Sequence, residues 1–235
     1  MIIKNKKIVM MMTVENIQGR EILLNLIRSK IPIHAVIIEH NSKLSENTRN
    51  YLKNDFYNPK SFSEIVKDTE INVHYVTHHN EKETIDLLKE YSPDYIILGG
   101  TRILKESIIQ TAKSGILNAH PAILPKYQGL DCVAWTILNN DPVGATIHFI
   151  DSGIDSGPII LQESISINDC RSLIEVRIKA MKKCAELMSK AIFGLESGQI
   201  TPIAQDHTLG IKHSAFPSDK IREINEILEK QNNEI

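Results

Sequence analysis

The chain reads as an α/β protein, a mostly parallel sheet flanked by helices, and three observations predict this. Short apolar strand-like runs alternate with runs of helical spacing through the first hundred or so residues, the pattern of strand–helix–strand units. The 235 residues, 42% of them hydrophobic, suffice for one good core or for a main domain with a small appendage. Gly99-Gly100 and the group Asn118, Ala119, His120 fall at the ends of apolar runs, where ligands bind in such sheets.

Taken in order, residues 8–13 form the first buried strand. The preceding Lys4-Asn5-Lys6-Lys7 gives a superficial likeness to a signal peptide, but the apolar run is very short and no small-residue cleavage site follows. Residues 22–27 carry helical spacing, 33–38 and 73–76 read as strands, 84–88 as a helix and 95–98 as a strand. A short helix at 133–138 holds the only tryptophan, Trp135, read as a core residue. Residues 146–150 alternate with a period of two, and the aspartate, serine and glycine residues after them make a turn-rich loop. A long amphipathic helix is expected over 173–195, with Gly194 and Gly198 flanking its end. Thr201-Pro202-Ile203, a polar loop through Gly210 and a charged helix from Ser218 complete the chain. We therefore expect a main domain over 1–200 and an appendage over 201–235 that packs back as a strand and helix or pairs with a second subunit.

Composition excludes several classes. Cys132, Cys170 and Cys184 are odd in number and never in a Cys-x-x-Cys pair, which argues against a zinc site and a disulfide framework. A formal charge of −2 without a long basic run gives little support to binding nucleic acid. No run reaches the length of a membrane span, so a cytoplasmic protein is expected. Residues 39–69 are polar and contain Lys43, Arg49, Lys53 and Lys60; they read as a solvated insertion with short helices or as a lid or anion-binding segment.

The chemistry concentrates in two stretches. On an extended backbone residues two apart project to one side, so Asn118 and His120 share a small volume. Pro121 biases His120 towards an extended conformation and keeps a helix from starting there. About thirty residues later the loop after residue 150 carries Asp155. An amide, an imidazole and a carboxylate suit acyl transfer: donors for a developing oxyanion and a base oriented by an acid. His148, on the Thr146/Ile150 face, reads either as backing for this site or as a satisfied strand histidine.

Three stretches in order, Tyr95-Ile96-Ile97-Leu98-Gly99-Gly100-Thr101-Arg102-Ile103-Leu104, then Asn118-Ala119-His120-Pro121 with Leu124-Pro125, then Asp151 to Pro158, resemble the signatures of the folate-dependent formyltransferase family. The resemblance covers roughly residues 7 to 200. It implies a Rossmann-like catalytic domain that moves a formyl group from N10-formyltetrahydrofolate to a primary amine. Carried over by position, Asn118 would bond the formyl oxygen, His120 would stabilise the oxyanion, and Asp155 would keep the imidazole charged and help take the proton from the amine. Asp155 rather than Asp151 fills the catalytic slot, because it directly precedes the closing Ser-Gly-Pro. Thr101, Arg102, Ile103, Leu104, Asp151 and Ile154 would hold the cofactor, mainly through backbone groups.

Absences choose among the family's branches. The initiator-tRNA enzyme carries a further C-terminal domain, whereas about thirty-five residues follow the catalytic part here. The glycinamide ribonucleotide enzyme has a loop rich in glycine and serine after its first strand, which grips phosphate through backbone N–H groups. Here that stretch is Met11-Met12-Thr13-Val14-Glu15-Asn16-Ile17-Gln18-Gly19, with one late glycine and a repelling Glu15. By elimination the chain is most similar to the short bacterial sugar N-formyltransferases, and the expected partner is a nucleotide-linked amino sugar. In that branch the loop after the histidine often reads Tyr-Arg-Gly, where this chain has Tyr127-Gln128-Gly129. A purine-type or other small-amine formyltransferase and a catalytically silent folate- or nucleotide-binding protein are the alternatives. The family often dimerises through its C-terminal elements, which implies a possible homodimer.

Overall fold

A computed structural model describes residue 3 and residues 6–13, 16–40 and 57–233. Lys4, Asn5, Val14, Glu15, Lys43, Arg49 and Lys53, which entered the reading above, lie outside the described residues.

Seven strands form the main sheet, in the order β3-β2-β1-β4-β5-β7-β8. They are β1 (Ile8–Thr13), β2 (Ala35–Glu39), β3 (Asn72–Val76), β4 (Tyr95–Gly99), β5 (Gly115–His120), β7 (Gly144–Phe149) and β8 (Ile159–Ser164). The first five pair in parallel, and β7 and β8 add antiparallel at one edge. The strand order reverses between β1 and β4, the switch point beside which open α/β sheets place their ligands. The helices are α1 (Ile17–Arg28), α2 (Phe62–Val66), α3 (Lys82–Tyr91), α4 (Glu106–Ile109), α5 (Cys132–Leu138), α6 (Leu173–Glu196) and α7 (Ile221–Asn233). A second, two-stranded parallel sheet joins β6 (Tyr127–Gly129) to β9 (Ile211–His213).

Strand periodicity divides the apolar residues between two faces. Ile8, Met10 and Met12 of β1, with Leu117 and Ala119 of β5, pack under α1 and the second half of α6. Val9 and Met11, with Ile96, Leu98 and Ile116, face Leu88 of α3 and Ile108 of α4. Beyond Ile116 this second face of β5 carries Asn118 and His120 in place of apolar residues. The polar chemistry therefore begins where the apolar cover on that face ends.

Helix α1 lies close against β4, because a Cβ on Gly19 would come 2.5 Å from the Gly99 carbonyl oxygen. The glycine after β1 thus serves helix–strand contact. At the end of α6, Gly198 takes a positive φ of 70°, whereas Gly194 lies inside the helix, where a Cβ would meet Ile200.

The appendage is integral to the main body. Phe216 and, from α7, Ile224 and Leu228 join one apolar cluster with Val133 and Ile137 of α5 and Val176 of α6. Trp135 is partly buried and stacks on His213 with centroids 5.2 Å apart, while Tyr127 stacks on the same imidazole at 5.1 Å. Its indole N–H donates to the Ser214 carbonyl at 2.9 Å. The tryptophan read as core therefore ties the last segment to the domain.

Candidate active site

The antiparallel register of β5 and β7 places Asn118 opposite His148 and His120 opposite Thr146. Facing residues on such a pair have neighbouring side chains. Asn118 Nδ2 lies 3.1 Å from His148 Nε2. His148 is fully buried, with Nδ1 2.8 Å from the Phe149 carbonyl. A carbonyl only accepts, so Nδ1 carries the proton and Nε2 is an acceptor for the Asn118 amide. Burial, reinforced by the nearby His120 ring, lowers the His148 pKa to about 4, which keeps it neutral near pH 7.

His120 is buried, and its Nε2–H donates to the Tyr127 carbonyl at 2.8 Å. Its Nδ1 faces Asp155 Oδ2 at 3.6 Å. The second carboxylate oxygen, Oδ1, lies 3.6 Å from His148 Nε2. Since that nitrogen is an unprotonated acceptor, the charge of Asp155 is directed to His120.

Asp155 belongs to the loop between β7 and β8. Asp151 Oδ1 accepts from Gly153 N at 2.9 Å and from Ser156 Oγ at 2.7 Å, an Asx-type turn that folds the loop back on itself. The Gly129 N–H donates to Asp155 Oδ2 at 2.8 Å. Gly129 has φ +94°, and a Cβ there would lie 2.4 Å from the His213 carbonyl oxygen, so β6 and β9 meet only through a glycine. The Tyr127 phenol donates to Asp141, and burial together with that bond pushes it up to about 12.

These groups border a cavity of about 500 Å³ beside the sheet's switch point. Asn118 and Asp155 line it, as do all six residues expected to hold the cofactor: Thr101, Arg102, Ile103, Leu104, Asp151 and Ile154. His120 stands behind that wall, with one nitrogen on the Tyr127 carbonyl and the other towards the carboxylate. Exposed Ile103 and Ile154 give the mouth an apolar surface suited to a flat ring, and Asn118 and Asp155 place polar atoms within, so the donor set fits a folate.

Several residues that hold the site carried no signal in the sequence. The Asn80 side chain donates to the Ile103 carbonyl at 2.9 Å and accepts from Lys105 N at 2.8 Å, fixing the segment that lines the mouth. Arg102 Nε donates to Glu39 Oε1 at 2.5 Å. Burial alone would raise the Glu39 pKa, but the His79 backbone N–H and the Arg102 guanidinium hold it below the ordinary value. Gln18 Nε2 donates to the Ala119 carbonyl at 2.7 Å and so ties α1 to β5. Lys212 and His213, from β9, also border the cavity.

A switch-point cavity with an amide, a carboxylate and a backing imidazole marks a protein equipped for attack by a nucleophile on a polarised carbonyl. Residues 6–192 match the family model described as "Formyl transferase", and the chain belongs to that family, whose formyl donor is N10-formyltetrahydrofolate. The sequence is 36% identical over 128 residues to a methionyl-tRNA formyltransferase from Clostridium tetani, a match covering 54% of this chain and 41% of that protein. The chain thus spans less than half the length of the curated relatives it matches. Among solved structures, a glycinamide ribonucleotide transformylase from Symbiobacterium toebii aligns with TM-score 0.66 at 18% identity, over 86% of this chain and 94% of that one. An N-formyltransferase from Helicobacter canadensis, in complex with folinic acid and dTDP-3-aminofucose, aligns with TM-score 0.61 at 23% identity, over 95% and 79%. These likenesses establish the Rossmann-like fold expected above.

Proposed function

We propose that this protein transfers a formyl group from N10-formyltetrahydrofolate to the primary amine of a nucleotide-linked amino sugar. The observation that carries the transfer chemistry is the convergence of Asn118 and Asp155, from a strand and a distant loop, at one cavity wall with the His120 imidazole directly behind it. The bound donor supplies an amide-like formyl carbonyl that resists attack until charge on its oxygen is stabilised. Asn118 gives one N–H of its amide to His148 and offers the other to that oxygen. His120 turns Nδ1 towards Asp155, and its imidazolium form would oppose the negative charge developing on the oxygen. Asp155, on the cavity wall, accepts a proton from the attacking amine as the new C–N bond forms. When the bond from the formyl carbon to N10 breaks, N10 takes a proton, so the exchange balances.

The choice of acceptor is supported by how the segment after β1 is used. Its glycine, Gly19, packs against Gly99, and the Gly19 N–H is capped by Asn16 Oδ1 at 2.7 Å. That backbone N–H is unavailable for a phosphate cradle of the glycinamide ribonucleotide type. Lys212 also borders the cavity, and no carboxylate pairs with it among the described residues, a placement suited to a diphosphate.

The experiment is a direct comparison of acceptors. The protein is incubated with N10-formyltetrahydrofolate and, separately, dTDP-3-aminofucose, glycinamide ribonucleotide or methionyl-tRNA, and the product is read as a mass gain of one CO unit. Formylation of the amino-sugar nucleotide alone is the expected result. Turnover of the ribonucleotide or the tRNA instead would overturn the acceptor assignment, and no turnover of any primary amine would overturn the activity.

A further inference from the structure

We propose that Gln205, which lies beyond the matched family domain, is a positioning residue for the Asp155 carboxylate, with Gln128 as its partner. The inference rests on the role given to Asp155 above. Asp155 has φ 51°, in the left-handed region, where a residue with a Cβ is disfavoured by about 1–2 kcal/mol. Such a conformation persists only when surrounding contacts over-determine it. Those contacts come from two buried glutamines. Gln205 Nε2 donates to the Asp155 carbonyl at 2.9 Å and to the Gly157 carbonyl at 2.6 Å. Both hydrogens of one amide therefore bracket Ser156 and fix the turn on either side of it. Gln128 Nε2 reaches the Asp155 carbonyl at 3.4 Å.

The glutamines are 8% and 5% exposed, so water does not replace a lost donor easily. Gln205 Oε1 is buried and makes no hydrogen bond among the described residues, which leaves its bonding concentrated on this loop. Gly157 packs closely against β7, since a Cβ there would stand 2.0 Å from the Phe149 carbonyl oxygen. With the backbone held on both sides of Ser156, the carboxylate is aimed at His120 and at the Gly129 N–H. Gln205 is not part of the cavity wall, so it acts on the chemistry through Asp155. Position 128 is where the sugar branch often carries arginine; here an uncharged amide of similar reach completes the clamp.

The test compares Gln205→Met, which keeps the volume and removes the donors, with Asp155→Asn and the parent protein. Turnover is measured with whichever of the three acceptors above is formylated, and folinic acid affinity by calorimetry. For Gln205→Met we expect kcat to fall roughly tenfold to a hundredfold, as for a catalytic group misplaced by about an ångström. Its dissociation constant for folinic acid should stay within about threefold of the parent value, a split that general unfolding would not give. A kcat within about twofold of the parent, beside an Asp155→Asn variant slowed more than about a hundredfold, would overturn the inference alone. Loss of folinic acid binding in step with kcat would also overturn it. If Asp155→Asn turned over normally, the catalytic reading of Asp155 would fail and this inference with it. Should Gln205→Met not fold, Gln128→Met is measured in its place, with a fall of about threefold to tenfold expected from its longer bond and the same overturning results.

Discussion

Replacing His148 with glutamine isolates the effect of an imidazole buried in its neutral form. The unfolded chain takes up this proton near pH 6.5, and the folded chain only near 4. Between those values the unfolded state binds more protons, so stability falls as pH drops through the window and is unaffected by this group above it. The full shift corresponds to about 3 kcal/mol, of which about 2 kcal/mol is lost by pH 5. Glutamine has no proton to gain and can still accept from the Asn118 amide. Urea unfolding at pH 7 and at pH 5 gives the stability of each protein at each pH. The parent should lose about 2 kcal/mol more than His148→Gln between these conditions. Parallel losses in the two proteins would refute the argument that burial keeps this ring uncharged.

Two further changes probe what holds the site together. Gly129→Ala places a Cβ at a positive φ against the His213 carbonyl and should separate β9 from β6; urea unfolding should register a loss of about 2 kcal/mol or more, and an unchanged midpoint would count against the close approach. Thr146→Val removes a buried hydroxyl that donates to the Ala122 carbonyl at 2.6 Å and accepts from Leu124 N and Gln162 Nε2 at 3.3 and 2.8 Å. The partners left without it should cost about 1–3 kcal/mol at nearly constant volume, and a variant as stable as the parent would show that the loop after His120 does not depend on this hydroxyl.

Strands β1 to β4 and β7 and helices α1, α3, α5 and α6 were legible because each carries an apolar run of strand or helix spacing, whereas β8, α2 and α4 were not singled out. Strand β2 begins two residues later than the apolar run at 33–38, since Ile33 and His34 belong to the approach and the His34 ring accepts the Ile8 N–H. The three-residue strands β6 and β9 were not legible: each is too short for periodicity, and they meet only in space, Tyr127 opposite Ile211 and Gly129 opposite His213. Asn118, His120 and Asp155 could be named from motif order, and the cavity gathers the six residues expected to hold the cofactor. Gln205 could not, because a buried glutamine bonding two carbonyls far back in the chain has no local pattern. Gln128 was visible only as a departure from the branch's arginine. His148 had two readings, and what decides between them is its partner across the strand pair, a property of register.

That register also explains why the site needs a second histidine. A protonated His148 would donate from Nε2, and the Asn118 amide would have to turn its oxygen towards the ring, moving its N–H groups away from their present positions. It would also set a cation beside Asp155 Oδ1, drawing on the carboxylate that faces His120 through Oδ2. Burial avoids both outcomes. The Phe149 carbonyl fixes the proton on Nδ1, desolvation keeps Nε2 bare, and the bare nitrogen orients the amide. The same acidification that destabilises the fold should therefore disturb the Asn118 amide, the proposed oxyanion donor, since that residue depends on the lone pair that a proton would occupy.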